Sequence, residues 1–251
     1  RAYIHQAMQW ANQYGIKVLL DLHTAPGCQN GFDNGGIAGQ LEWDTPENRA
    51  LTVVILEKIA IEFSIYDSLW GIEVLNEPAN WGINMNNLLD FYVDSYNVIR
   101  LHNTDVWIGF HDAFTGGNYS FWASFFLNQT FTNVFFDMHL YQTFGDGWGS
   151  YDIFDHLDHL NGENAATRYN GIIPAVIGEW SIGLQGNVYD GLNGESITRL
   201  KLAFANAQMN NYGEGMGWFF WNYKIDADSH LEWDFKRLVE NEIFPDNFKT
   251  E

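Results

Sequence analysis

Cysteine is almost absent from this chain of 251 residues: Cys28 stands alone. No internal disulfide can therefore staple the fold, which excludes a disulfide scaffold. Positive charge is scarce as well. Twelve Lys and Arg face 32 Asp and Glu, for a net charge of −20. Binding nucleic acid requires clustered cations to neutralise phosphates, so a nucleic-acid partner is excluded. No run of about 18 apolar residues occurs, so no membrane span is expected. No signal peptide, linker, internal repeat or low-complexity segment is visible.

Apolar and aromatic residues are abundant. They reach 46% and 17% of the chain, with eleven Trp, too much for a disordered protein. A length near 250 matches one (β/α)8 barrel. The acidic, Trp-rich composition suits a protein working outside the cell or in its wall. Two glycosylation sequons, Asn118-Tyr119-Ser120 and Asn128-Gln129-Thr130, are about what an Asn-rich chain produces by chance.

Short apolar runs alternate with longer amphipathic ones. Lys17 to Leu22, Gly71 to Leu75, Val106 to Phe110, Val134 to Met138, Ile172 to Ile177 and Met216 to Trp221 read as strands. Their near-continuous apolarity predicts parallel strands covered on both faces. Helices are predicted over Ala2 to Tyr14, Pro46 to Tyr66, Met85 to Leu101, Phe121 to Leu127, Tyr151 to Leu160, Glu195 to Tyr212 and Phe235 to Asn241. Thr45 and Pro46 suit an N-cap and first helical position, and Gly213 a C-cap. Ile4, Ala7, Met8 and Ala11 should form the inner face of the first helix. Leu88, Leu89, Tyr92, Val93 and Tyr96 should form that of the third. Strand–helix alternation means βα units around a parallel sheet, an α/β fold in a single domain over 1–251.

The strand ends carry the chemistry. They read Asp21-Leu22-His23, Asn76-Glu77-Pro78, His111-Asp112, His139-Leu140-Tyr141, Gly178-Glu179-Trp180 and Trp221-Asn222-Tyr223-Lys224. One such ending is an ordinary hydrogen-bonded core residue. Six in register predict a polar ring at the carboxyl face of a barrel. An acid at the end of an apolar strand is costly unless paired or used, and no basic residue adjoins Glu77 or Glu179. Two facing carboxylates suit glycoside hydrolysis: one protonates the leaving oxygen, and the other attacks the anomeric carbon or activates water. Trp43, Trp81, Trp148, Trp180, Trp221, Phe114 and Phe144 sit at or after strand ends, where aromatic faces can meet sugar rings. Trp10, Trp70 and Trp107 are expected in the core.

Asn76-Glu77-Pro78, His139-x-Tyr141 and Gly178-Glu179-Trp180, in this order, resemble glycoside hydrolase family 5. The segment Asp21 to Asn34 narrows the resemblance to its fungal-type exo-β-1,3-glucanase subgroup. So do His111-Asp112-Ala113-Phe114, His139 to Phe144, Glu232 to Phe235 and Ile243-Phe244-Pro245. The resemblance implies a retaining (β/α)8-barrel enzyme acting on a β-glucan partner, with neither metal nor organic cofactor. Glu77 would be the general acid/base and Glu179 the nucleophile, with carboxyl groups about 5–5.5 Å apart. Asn76 would hold the sugar 2-hydroxyl. Tyr141 would hydrogen-bond the nucleophile, and His139 would line the same pocket. His23, Asp33 and Asn34 would contact the terminal sugar, Trp221 would floor it, and Phe114 and Phe144 would grip the next unit.

Departures from the pattern modify these expectations. The family's Arg at the end of its second strand, and a sugar-binding acid on its first, have no counterpart here. The motif typical of the third strand already appears by residue 22. Six strands of eight are therefore expected, with the first two missing and an open edge in their place. The loop Ser181 to Gly194 is short for the subgroup, which leaves endo-β-1,4- or β-1,6-glucanase action open beside exo-β-1,3. An inactive carbohydrate-binding barrel is a further alternative. A metal hydrolase built on Asp21, His23, Asp112 and His139 is the least favoured. The chain is expected to be a monomer, and Cys28 a free thiol without a catalytic task.

Overall fold

The computed structural model describes residues 1–162, 164–227 and 229–245. Most of the helices begin where the sequence supplies a side-chain cap. Helix α1 (Ala2–Tyr14) leads into β1 (Val18–Asp21) through Gly15, whose left-handed conformation closes the helix. Helix α2 (Pro46–Phe63) starts at Thr45, whose side chain accepts the Asn48 N–H, with Pro46 in the first position. β2 (Leu69–Glu73), α3 (Met85–Arg100), β3 (Trp107–His111), α4 (Tyr119–Phe126) and β4 (Val134–His139) follow. Then come α5 (Ile153–Gly162), β5 (Ala175–Trp180), α6 (Gly194–Tyr212), β6 (Trp218–Phe220) and α7 (Phe235–Glu240). Asn84, Asn118, Asn193 and Asp234 cap α3, α4, α6 and α7 with their side chains. Six strand–helix units are thus present among the described residues, as the apolar periodicity predicts.

The chain forms two compact units, Arg1–Asp137 and Met138–Glu251. In the first, β1 pairs with β2, β2 with β3, and β3 with β4, all parallel. Its core is aromatic: Phe91, Tyr92, Phe110, Trp122, Phe135 and Phe136 are almost wholly buried. Trp122 packs edge-on to Phe136 at 4.8 Å and stacks on Phe126 at 5.9 Å. In the second unit, β5 pairs parallel with β6, and Trp180, Tyr169, Phe204 and Tyr212 fill the centre. Helix α6 ends at Gly213 in a right-handed conformation. Glycine is required there because a Cβ would come within 2.8 Å of the Met209 carbonyl. Among the described residues, no helix is long and apolar enough to cross a membrane.

Some expectations fail in detail. Helix α1 buries only Met8 and Ala11. Trp10, expected in the core, is 54% exposed, together with Tyr3, Ile4 and Tyr14. The buried face of α3 runs through Leu88, Phe91, Tyr92, Ser95 and Ile99, rotated from the predicted stripe because Phe91 points at Trp43, 5.0 Å away edge-on. Strands β2, β3 and β5 lie one to three residues from their predicted bounds, because an apolar run alone does not mark where ladder bonds begin.

Candidate active site

In the first unit, the segment after β1 is tied down by Gln29, which is fully buried. Its Nε2 donates to the carbonyls of His23 and Asn76, both at 2.9 Å, and its Oε1 accepts the Ala25 N–H. One side chain thus fastens the end of β1 to the residue preceding Glu77. The Ala79 N–H donates to the Gln29 carbonyl from beyond Glu77. Glu77 is 7% exposed and takes a positive φ of 48°. Cys28, Ala113 and Phe114 do so as well. Such conformations are costly for non-glycine residues and persist where the surroundings over-determine them, often at functional sites.

Glu77 accepts a hydrogen bond from Asn34 Nδ2 at 2.7 Å. Asn76 is buried, and its Nδ2 donor has no hydrogen-bond partner among the described residues. His23 is half-buried, with Nδ1 2.7 Å from Asp21 Oδ2. Asp33 is exposed and accepts the Asn34 N–H. His111 is fully buried and packs edge-on against Phe114 at 5.0 Å. Its Nδ1 accepts the Ala113 N–H. Phe114 continues into Trp81 at 5.4 Å, and Trp81 into Phe32 at 5.8 Å. Phe32 and Trp81 are exposed by 42% and 58%, so they present an aromatic surface.

In the second unit the end of β4 meets the end of β5. The Leu140 N–H donates to the Glu179 carbonyl, which aligns the alternate side chains His139 and Tyr141 with Glu179. Tyr141 Oη donates to Glu179 Oε2 at 2.8 Å, and His139 Nδ1 lies 3.4 Å from the same oxygen. Glu179 is 8% exposed. Tyr141 is braced by Phe144 at 5.2 Å and Trp233 at 5.3 Å. Phe144, 63% exposed, also meets Trp233 at 5.8 Å. Trp221 is 38% exposed, and its peptide bond to Asn222 is cis.

The structure thus brings Asn34 to Glu77 in one unit, and His139, Tyr141 and Phe144 to Glu179 and its neighbours in the other. Trp43 and Trp180, read as loop aromatics for a ligand, are fully buried instead. Trp43 donates its indole N–H to Thr52, and Trp180 packs among Tyr212, Trp218, Phe220 and Phe244. Gln29, Asn30, Phe32 and Trp233 flank site residues without a role assigned to them by the sequence. An interior amide and an aromatic remote in sequence carry no local signal of what they touch.

Six parallel βα units with polar side chains at the strand ends place the chain in the (β/α)8-barrel class. Solved structures agree on the fold. The chain resembles AoRut with a TM-score of 0.79 at 18% identity, over 96% of this chain and 70% of that one. It resembles rutinosidase from Aspergillus niger at 0.75 and 17%, over 96% and 71%. The model of the cellulase family, glycosyl hydrolase family 5, matches residues 1–227, and the chain belongs to that family of O-glycosyl hydrolases. Among similar proteins, a glucan 1,3-beta-glucosidase of Kluyveromyces lactis is 32% identical, over 97% of this chain and 65% of the relative. One of Blumeria graminis is 31% identical, over 97% and 64%. The chain therefore spans slightly less than two thirds of the length of these relatives.

Proposed function

We propose that this chain is a retaining glycoside hydrolase of β-glucan that cleaves β-1,3 bonds from the chain end and releases glucose. Glu77 acts as general acid/base and Glu179 as nucleophile. The observation carrying the reading is the different setting of the two buried carboxylates. Glu179 accepts the Tyr141 hydroxyl with His139 beside it, and donation to a carboxylate favours the ionised form a nucleophile needs. Glu77 instead accepts an amide N–H from Asn34 at Oε2, with a ring nitrogen of the buried His111 within 4.8 Å of its carboxylate. Environments that differ in this way let two carboxylates divide acid and nucleophile roles.

The attack of Glu179 on the anomeric carbon, with proton transfer from Glu77 to the departing oxygen, gives a glycosyl-enzyme. Water activated by the Glu77 carboxylate then releases the sugar with its configuration retained. The unpartnered Asn76 amide suits the 2-hydroxyl, since a buried donor left unmatched is costly until it finds an acceptor. His23, Asp33 and Asn34 would contact the terminal sugar over a Trp221 floor, with Phe114 and Phe144 on the next unit. The reading takes residues 1–251 as one catalytic domain and the chain as a monomer acting outside the cell or in its wall, in keeping with its acidic composition.

The test is hydrolysis of laminarin, followed by proton NMR of the first-formed anomer. Glucose released as the β-anomer is the expected result. Long oligomers would replace exo with endo action, and the α-anomer would overturn the two-step route. Glu77→Gln and Glu179→Gln should each abolish laminarin turnover, and full activity in either would remove that residue from its role.

A further inference from the structure

A chain of side-chain hydrogen bonds runs through the segment after β1 and ends at Glu77. Its first donor is a backbone amide, the Phe32 N–H, which bonds Asn30 Oδ1 at 2.9 Å. A backbone N–H can only donate, so the Asn30 amide has one permitted orientation: oxygen toward Phe32, nitrogen away. Asn30 Nδ2 then donates to Asn34 Oδ1 at 3.0 Å. With its oxygen engaged, Asn34 turns its nitrogen outward, and that Nδ2 donates to Glu77 Oε2 at 2.7 Å. Asn30 is 2% exposed. The Cys28 thiol lies 3.7 Å from the same Asn30 oxygen. A Cβ on Gly35 would collide with both groups. Asn30 is therefore held from several sides without lying at the surface.

We propose that Asn30 is a positioning residue for the acid/base carboxylate, acting by fixing which end of the Asn34 amide faces Glu77. This rests on the assignment of Glu77 as acid/base. With an N–H against Oε2, the proton of the acid form is kept on Oε1. A reversed amide would present a carbonyl to Oε2 and draw the proton there, away from the glycosidic oxygen. Two amides in series, the inner one buried behind the outer, thus bias the proton toward Oε1 of Glu77.

The test is Asn30→Asp. Aspartate still accepts the Phe32 N–H but offers Asn34 an oxygen, so the Asn34 amide must turn its nitrogen toward position 30. The readout is kcat/KM across β-glucosides of graded leaving-group acidity. Oligosaccharide and alkyl leaving groups, which need a proton, should slow by about tenfold or more, within the range general acid catalysis supplies. The 2,4-dinitrophenyl glucoside, which departs unprotonated, should change by less than about twofold. Combined with Asn34→Ala, the Asn30→Asp change should cost little more, because the relay is already cut.

A loss uniform across leaving groups, or additive with Asn34→Ala, would show Asn30 to be loop support alone and overturn the proposal, as would no loss at all. Gly35→Ala presses on Asn30 from outside and should give the same leaving-group-selective loss, so the proposal stays testable if Asn30→Asp does not fold. Glu77→Gln, measured on the same series, separates the two levels. If it lacks leaving-group selectivity, the acid/base assignment fails. If it has selectivity and neither Asn30→Asp nor Gly35→Ala does, only the positioning role fails.

Discussion

Tyr141→Phe removes one oxygen and keeps the ring between Phe144 and Trp233, so it isolates the 2.8 Å hydrogen bond to Glu179. Glu179 is 8% exposed, and a hydrogen bond to a charged group there contributes roughly 1.5–3 kcal/mol. His139 Nδ1 stays 3.4 Å from the same oxygen, so the substitution removes the hydroxyl donor and leaves the imidazole in place. Losing that bond makes the carboxyl easier to protonate. The sign follows from the donor: the hydroxyl stabilises the ionised form, and without it protonation is easier. The acidic limb of the kcat/KM profile should therefore move to higher pH. If the same bond positions the nucleophile, kcat/KM at the optimum should also fall by about 10- to 150-fold. The assay is the pH dependence of kcat/KM on a single β-glucoside, with circular dichroism to confirm folding. An acidic limb and a rate both unchanged from the parent would refute the reasoning that Tyr141 sustains an ionised Glu179.

Three further outcomes are expected. Gly35→Ala should lower stability by about 1–3 kcal/mol, because the new methyl meets Asn30 and Cys28 in a filled site; urea denaturation reads it. Trp43→Ala should cost roughly 3–5 kcal/mol, since it removes a fully buried ring bonded to Thr52. Trp81→Ala, at 58% exposure, should stay within about 0.5 kcal/mol, and equal costs would void the distinction between core and loop Trp. Burial holds the fully buried His156 below its usual pKa of 6.5, outweighing the opposing pull of Asp155. The unfolded chain therefore binds this proton first, so the contribution of His156 is complete above pH 6.5 and declines as pH falls toward the folded-state pKa. In His156→Phe the stability difference between pH 7 and pH 5 should shrink, and an unchanged difference would show that His156 does not carry the slope.

The sequence by itself determined the order and type of the elements. Apolar runs of strand length, the Thr45-Pro46 cap and helical stripes between them are local properties that tertiary contacts reinforce. It also marked Glu77 and Glu179, because a carboxylate ending an apolar strand is costly without a use. Tertiary structure decided the rest. Whether a Trp faces solvent or core depends on what arrives from distant segments: Phe91 and Thr52 enclose Trp43, while little covers Trp10. The partners of the two carboxylates were decided in the same way. His139 and Tyr141 reach Glu179 because parallel pairing sets their register. Asn34 turns its nitrogen to Glu77 because a backbone donor at Phe32 fixes Asn30 first. A sequence names the amide, but which of its ends faces a carboxylate depends on donors that only the folded chain brings together.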